Sequence, residues 1–201
     1  MDFILETKRL ILRKPRLSDA KDIIEGIGDF EISKNLSKVP YPYKKKDAEI
    51  WIKRSIKKSK RNVQDGYNFI LELKSDKKVI GCLGIHKLNK QQGVCETGSW
   101  LNRKYHRKGY MTEAKIAVNE LVFNQLKMRK METEAFADNK ASNATQRAVG
   151  YKYEGCRKKH SVSQATGKIH NNNLYGLLKE DWKKNLPKLK KHLEEKIRKI
   201  V

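Results

Sequence analysis

Arg103-Lys104-Tyr105-His106-Arg107-Lys108-Gly109-Tyr110-Met111-Thr112-Glu113-Ala114 is the stretch on which the reading of this chain turns. Just upstream, Val94 to Leu101 is a short apolar-rich run closing on Trp100 and Leu101, and it predicts a strand. Just downstream, Ala114, Ala117, Val118, Leu121 and Val122 recur at helical spacing. The stretch is therefore a strand-to-helix loop carrying one glycine and the cations Arg103, Lys104, Arg107 and Lys108. A helix start offers unpaired N–H groups and a positive dipole end, and glycine admits a close approach to the backbone. Those are the parts of a pyrophosphate cradle. Neither G-x-G-x-x-G nor G-x-x-x-x-G-K-[ST] is present, so dinucleotide and P-loop readings are unsupported. A basic solvated loop would look the same in isolation, and the decision rests on what surrounds it.

Working outward, Leu10 to Leu12 reads as a first strand stopped by Pro15. Ser18 suits a helix N-cap, with Ala20, Ile23, Ile24 and Ile27 as the apolar stripe. Asp29 to Tyr43 reads as irregular, and Asp47 opens a second helix with Ala48, Trp51, Ile52, Ser55 and Ile56 inward. Its outer face is basic, with nine cations and two acids between Lys44 and Arg61, the pattern of a solvated face. Tyr67 to Leu73 alternates as a strand, and Lys74 to Lys78 turns into a partner strand from Val79 to His86. Beyond the cradle helix, Met131, Thr133, Ala135 and Ala137 alternate as a strand, and a short helix spans Asn139 to Val149 with Gly150 as C-cap. Two last strands, Tyr151 to Val162 and Ile169 to Leu178, meet at a turn near Thr166-Gly167. This order predicts a single α/β domain built on a mixed, mostly antiparallel sheet flanked by helices.

The division expected is a domain over residues 1–182 and a basic amphipathic C-terminal helix over 183–201. In the latter, Leu189, Leu193, Ile197, Ile200 and Val201 share one face and Pro187 suits a first helical turn. Core packing or a dimer contact explains such a stripe, and an RNA-binding arm is the other reading. At 201 residues the chain is long enough for one sizeable core. No apolar run reaches membrane-spanning length, and the start at Met1-Asp2-Phe3-Ile4-Leu5-Glu6 is unlike a signal peptide. Cys82, Cys95 and Cys156 are scattered and form no C-x-x-C, so the expectation is a reducing cytoplasm, no disulfide framework and no metal. The net charge of +23 favours a polyanionic neighbourhood such as RNA or a ribosome, although lysine-rich solvated faces alone would produce it.

Five segments together resemble the GCN5-related N-acetyltransferases, in particular the branch that acetylates ribosomal-protein N-termini. They are Glu6 to Arg13; Val39 to Tyr43 with Asp47-Ala48 and Trp51-Ile52; Glu96 to Leu101; Lys108 to Ala114; and Asp138 to Asn143 with Gly150-Tyr151 and Glu154-Gly155. The likeness runs from Leu5 to Trp182. It implies that acetyl-CoA is the cosubstrate and a primary amine the acceptor, joined by direct attack in a ternary complex. The family's cofactor loop, Q/R-x-x-G-x-G/A, corresponds to His106-Arg107-Lys108-Gly109-Tyr110-Met111, which departs at its first and last positions. Arg107 stands where relatives often carry a small residue. By this resemblance the pantetheine arm runs beside Trp100, Leu101 and Asn102. The phosphates meet the loop from His106 through Thr112, Asn139 holds the pantetheine side, and Ser142 matches a serine that some relatives place near the sulfur.

Acetyl transfer asks for a base at the amine, donors for the oxyanion and an acid for the leaving sulfur. Glu96 is the candidate base acting through a water, with a cross-strand charge partner as its alternative role. Relatives outside this branch carry a tyrosine acid where Gln146 stands, so Ser142 becomes the candidate near the sulfur. A glutamate found in some relatives is replaced here by Ser161 beside His160, and Tyr175 is a further candidate. The acceptor implied is a protein N-terminus. A polyamine or other small amine is the alternative, and a non-catalytic acyl-CoA-binding, RNA-associated module is the reading from another class. A monomer or a homodimer fits equally.

Overall fold

A computed structural model describes residues 3–59 and 65–199 of the chain. Eight strands form one sheet in the order β1-β2-β3-β4-β5-β6-β8-β7. The strands are β1 (Leu5–Glu6), β2 (Leu10–Arg13), β3 (Tyr67–Leu73), β4 (Val79–Asn89), β5 (Val94–Leu101), β6 (Lys130–Phe136), β7 (Lys152–Val162) and β8 (Ile169–Leu178). Every neighbouring pair is antiparallel except β5 and β6, which are parallel. A parallel pair needs a crossover, and the loop at Gly109 with the helix after it supplies one. The expected mixed, mostly antiparallel sheet is what forms.

Helices cover both faces. On one side α1 (Ala20–Ile27), the single turn α2 (Phe30–Ser33) and α3 (Lys45–Ser59) bury Ile23, Ile27, Ala48 and Ile52 against Ile70, Val79 and Cys82. On the other, α4 (Tyr110–Glu120, continued by a π turn over Leu121–Gln125) and α6 (Lys179–Arg198) pack on Leu10, Leu71, Leu83 and Ile85. The remaining helix, α5 (Lys140–Ala148), follows β6. Alternation along a strand explains the two layers, because Ile70 faces the first and Phe69 and Leu71 the second.

Four expectations change. Ser18 is no N-cap: it lies within a 3₁₀ turn over Leu17–Asp19, and Asp19 caps α1. The stretch from Asp29 to Tyr43 contains α2, whose N-cap Asp29 accepts a hydrogen bond from the Glu31 N–H. Helix α3 begins at Lys45 rather than Asp47, whose carboxylate instead accepts from the Lys44 N–H at 2.8 Å. The C-terminal helix starts at Lys179, ahead of Pro187, which lies inside it. It starts early because Trp182 is an anchor, 1% exposed and 6.3 Å from the Phe123 ring centre. Leu189 and Ile197 are buried as well, so the stripe packs on the domain. Lys60 and Arg61 of the basic run, Ile200 and Val201 of the tail stripe, and the initial Met1-Asp2 lie outside the described residues.

Candidate active site

The central feature is a parting of two strands. Strands β5 and β6 pair from Val94↔Lys130 to Thr97↔Thr133 and no further. Past that point β5 keeps β4 as its partner and β6 keeps β8. The backbone edge of Gly98 to Leu101 facing β6 is thus left for something other than the sheet. The apex of the cleft is tied shut by Thr133 Oγ1 donating to the Thr97 carbonyl at 2.8 Å and by Thr97 Oγ1 lying 3.3 Å from the Tyr151 hydroxyl.

At the open end β5 runs into the cradle. Asn102 is 4% exposed, and its Oδ1 accepts from the Lys104 N–H at 3.0 Å. Its Nδ2 is buried with no hydrogen-bond partner among the described residues. His106 Nε2 lies 2.9 Å from the Leu101 carbonyl, so this imidazole ties the loop to the strand end. Arg107 has φ 62° and Gly109 φ 80°, both left-handed, and Gly109 is the N-cap of α4. The first backbone bond closing that helix is Glu113 N–H to the Gly109 carbonyl at 3.0 Å. The N–H groups of Tyr110, Met111 and Thr112 therefore have no intrahelical partner.

Of the four loop cations, two are already engaged. Arg103 pairs with Asp29 at 2.8 Å and Lys104 with Glu25 at 2.9 Å, while Arg107 and Lys108 are in no ion pair among the described residues. The role of Gly109 also differs from the expected one. A Cβ there would meet Leu193 Cδ1 at 3.1 Å and Arg9 Nη2 at 3.4 Å, so its bare side faces α6 and the turn before β2. Glycine is demanded here by the left-handed φ and by the helix behind it. An anion-accepting helix start, two unpaired cations and the orphaned Asn102 amide beside an unpaired strand edge fit an acyl-CoA, with its phosphates at the loop.

The remaining candidates divide between the two walls. Glu96 shares a face of β5 with Gly98 and Trp100, and Trp100 packs toward α1, where a Cβ on Gly26 would lie 2.6 Å from its ring. Lys87 Nζ sits 2.7 Å from Glu96 Oε1, and this carboxylate raises the lysine's pKa. The cross-strand charge pairing is therefore present. Directly opposite Glu96 stands His86, whose pKa is lowered by burial. On α5, Asn139 Oδ1 is spent as the N-cap acceptor of the Ser142 N–H at 3.1 Å, while Ser142 Oγ has no hydrogen bond among the described residues. Ser161 accepts from Asn172 at 2.9 Å, and the exposed His160 stands 3.9 Å from Glu134.

Sequence reasoning gave no role to Glu113, Asn143 or Lys115. Glu113, 3% exposed, accepts from Thr7 Oγ1 at 2.6 Å, the Arg9 N–H at 2.8 Å and Arg9 Nε at 2.7 Å. Asn143 gathers Asn173, Tyr175, the Phe136 carbonyl and the Asn139 carbonyl around one buried amide. Tyr175, 1% exposed, is thereby held in the core. Lys115 on α4 is buried outright. Read from the sequence, a lysine in a helix is expected to face solvent. Among the described residues no three His, Cys, Asp or Glu side chains gather as a metal site, and no helix is long and apolar enough to cross a membrane.

This geometry agrees with three comparisons. The uncharacterized N-acetyltransferase YoaA of Bacillus subtilis is 25% identical over 88% of this chain and 97% of its own length. The ribosomal-protein-S5-alanine acetyltransferase of Vibrio fischeri superposes with a TM-score of 0.76 at 18% identity, covering 90% of this chain and 99% of that one. The microcin C7 self-immunity acetyltransferase MccE, solved with acetyl-CoA and AMP, gives 0.73 at 18% identity over 86% and 93%. The family description "Acetyltransferase (GNAT) domain" matches residues 9–152, a span that holds β2 through α5 and with them the cleft and the cradle. This chain belongs to the GNAT acetyltransferase family and is an acetyl-CoA-dependent N-acetyltransferase.

Proposed function

We propose that the acceptor is the N-terminal α-amine of a protein, a ribosomal protein in particular. The carrying observation is that carboxylates on β5, on β6 and on the elements beside them already have cationic partners. Glu25 is held by Lys78 and Lys104, Asp29 by Arg103 and Glu96 by Lys87. Glu132, Glu134 and Asp138 are paired with Lys130, Arg157 and Lys168. A polycation such as spermidine needs unpaired acids to gather it, and a chain of net charge +23 repels it at long range. A peptide α-amine brings one charge on an extended backbone, and a ribosomal protein arrives beside RNA that attracts a basic surface.

In this reading the thioester of acetyl-CoA supplies the acyl group, and the chain's residues do the rest. The edge of β5 from Gly98 to Leu101 orients the arm, and Tyr110, Met111 and Thr112 N–H groups with Arg107 and Lys108 hold the phosphates. Glu96, on the face shared with Trp100, takes the amine's proton through a water. Ser142 faces the sulfur from α5. Rates with a Ser- or Ala-initiated peptide and with spermidine, measured side by side at physiological salt, test the proposal. Faster peptide acetylation is expected, and faster spermidine acetylation would refute it.

A further inference from the structure

A buried lysine that makes no ion pair among the described residues stands at the apex of the cleft. Lys115 is 3% exposed, and its Nζ donates to Gln146 Oε1 at 3.0 Å. The same nitrogen lies 5.3 Å from the centre of the Tyr151 ring. The Tyr151 hydroxyl in turn touches Thr97 Oγ1, at the last residue pair before β5 and β6 separate. An arm laid along the unpaired edge from Leu101 back to Gly98 would end at this point. Gln146, 4% exposed, lies one helical turn beyond Ser142 on the same stripe of α5. With Oε1 fixed on the ammonium, the carboxamide keeps its NH₂ as a donor, and that NH₂ bonds to nothing among the described residues.

We infer that Lys115 is a positioning residue for acetyl transfer: it holds the Gln146 carboxamide so that its NH₂, backed by a buried positive charge, meets the negative charge developing on the departing sulfur. The inference rests on reading the cleft as the acetyl-CoA site. In the step it serves, the amine nitrogen bonds to the acetyl carbon and the carbon–sulfur bond breaks. Sulfur leaves with the electron pair, and the proton surrendered by the amine is the one that finally appears on the thiol. Lys115 transfers no proton; it supplies field and orientation, the contribution with which fixed donors lower such barriers. Desolvation alone lowers its pKa, to about 8. Lys115 faces one titratable side chain directly, and a second lies behind that one, within reach of Glu132 and Glu96. They are the Tyr151 phenol, whose pKa burial raises further, and the Cys95 thiol, which burial pushes up to about 12. Neither is charged near neutral pH, so Lys115 is the group touching the Gln146 carboxamide whose charge changes above neutrality.

The test uses the full chain and the variants Lys115→Met, Lys115→Arg and Gln146→Leu. Three quantities are followed: kcat across pH, acetyl-CoA affinity by calorimetry, and the lysine Cε resonances of the free protein by NMR. Wild-type turnover is measured first, and its absence would overturn the reading of the site itself. Given turnover, one Cε resonance should titrate near 8 and vanish in Lys115→Met, with wild-type kcat falling above that pH. Lys115→Met should lose roughly 100-fold in kcat with acetyl-CoA affinity unchanged, and should lose the high-pH fall. Lys115→Arg should recover part of kcat and stay flat at high pH. Gln146→Leu should match Lys115→Met, and the double variant should be no worse than either. A folded Lys115→Met that keeps wild-type kcat and its high-pH fall would overturn this inference alone. If Lys115→Met does not fold, an Arg variant that still loses activity above that pH overturns it equally.

Discussion

Arg9 and Glu113, 104 residues apart in sequence, form an ion pair of 2.7 Å that binds the turn between β1 and β2 to the first turn of α4. Thr7 and the Arg9 backbone reach the same carboxylate, and Arg9 Nη1 continues to the Lys108 carbonyl at 2.9 Å. The cradle is therefore held from behind by an edge of the sheet. Removing Glu113 leaves a largely buried guanidinium unpaired. Glu113→Ala should cost about 3–5 kcal/mol of stability and loosen acetyl-CoA binding. Urea unfolding and calorimetry measure the two effects, and a variant of wild-type stability would show the pair to be dispensable.

Gly109 and α6 should fail together. Valine at 109 forces a β-branched side chain into a left-handed φ of 80° and against Leu193. The strain costs at least about 1–2 kcal/mol and displaces the loop, lowering acetyl-CoA affinity. Deleting α6 after Trp182 removes the buried Leu189 and Ile197, each contributing about 1.5–3 kcal/mol. The truncated chain should melt earlier in calorimetry. If it keeps full stability but loses salt-sensitive RNA binding, the tail is an arm after all.

Glu96→Gln and Ser142→Ala should each lower kcat by roughly ten- to a thousand-fold with little change in acetyl-CoA affinity. Lys87→Ala, which frees Glu96 of its ion pair, should leave turnover at least at the wild-type level. Should both substitutions keep full activity, His86, directly across the strand from Glu96, takes the role of base.

Lys115 should trade stability for activity. Its folded pKa of about 8 lies below the usual lysine value near 10.5, so between these two pH values the unfolded chain binds more protons. Stability therefore rises with pH through that window, and below it the full penalty of burying the charge, roughly 3 kcal/mol, is present. Lys115→Met should raise the thermal midpoint at neutral pH while lowering kcat. A lower midpoint would mean that the Gln146 hydrogen bond outweighs desolvation.

The sheet was legible because its strands alternate and its turns are marked, and the cradle because a strand, a basic loop with one glycine and a helix follow in order. What escaped is long-range. Nothing local announces that Glu113 receives Arg9, that α6 fills the space behind Gly109, or that Arg103 and Lys104 turn to Asp29 and Glu25. Pro187 pointed to a helix start because proline suits a first turn, yet Trp182 nucleates packing earlier and the helix tolerates the missing N–H. Lys115 was hidden for the opposite reason. A lysine among helix residues reads as solvent-facing, and its burial becomes visible only once α5 and Tyr151 close over it.

The most direct measurement is the mass-resolved product of incubating the protein with acetyl-CoA and an equimolar mixture of a Ser-initiated peptide and spermidine. Acetylation of the peptide, confined to its α-amine and faster than that of spermidine, is the result expected from a cleft whose carboxylates are already paired. Preferential acetylation of spermidine, or of peptide lysines over the α-amine, would contradict it.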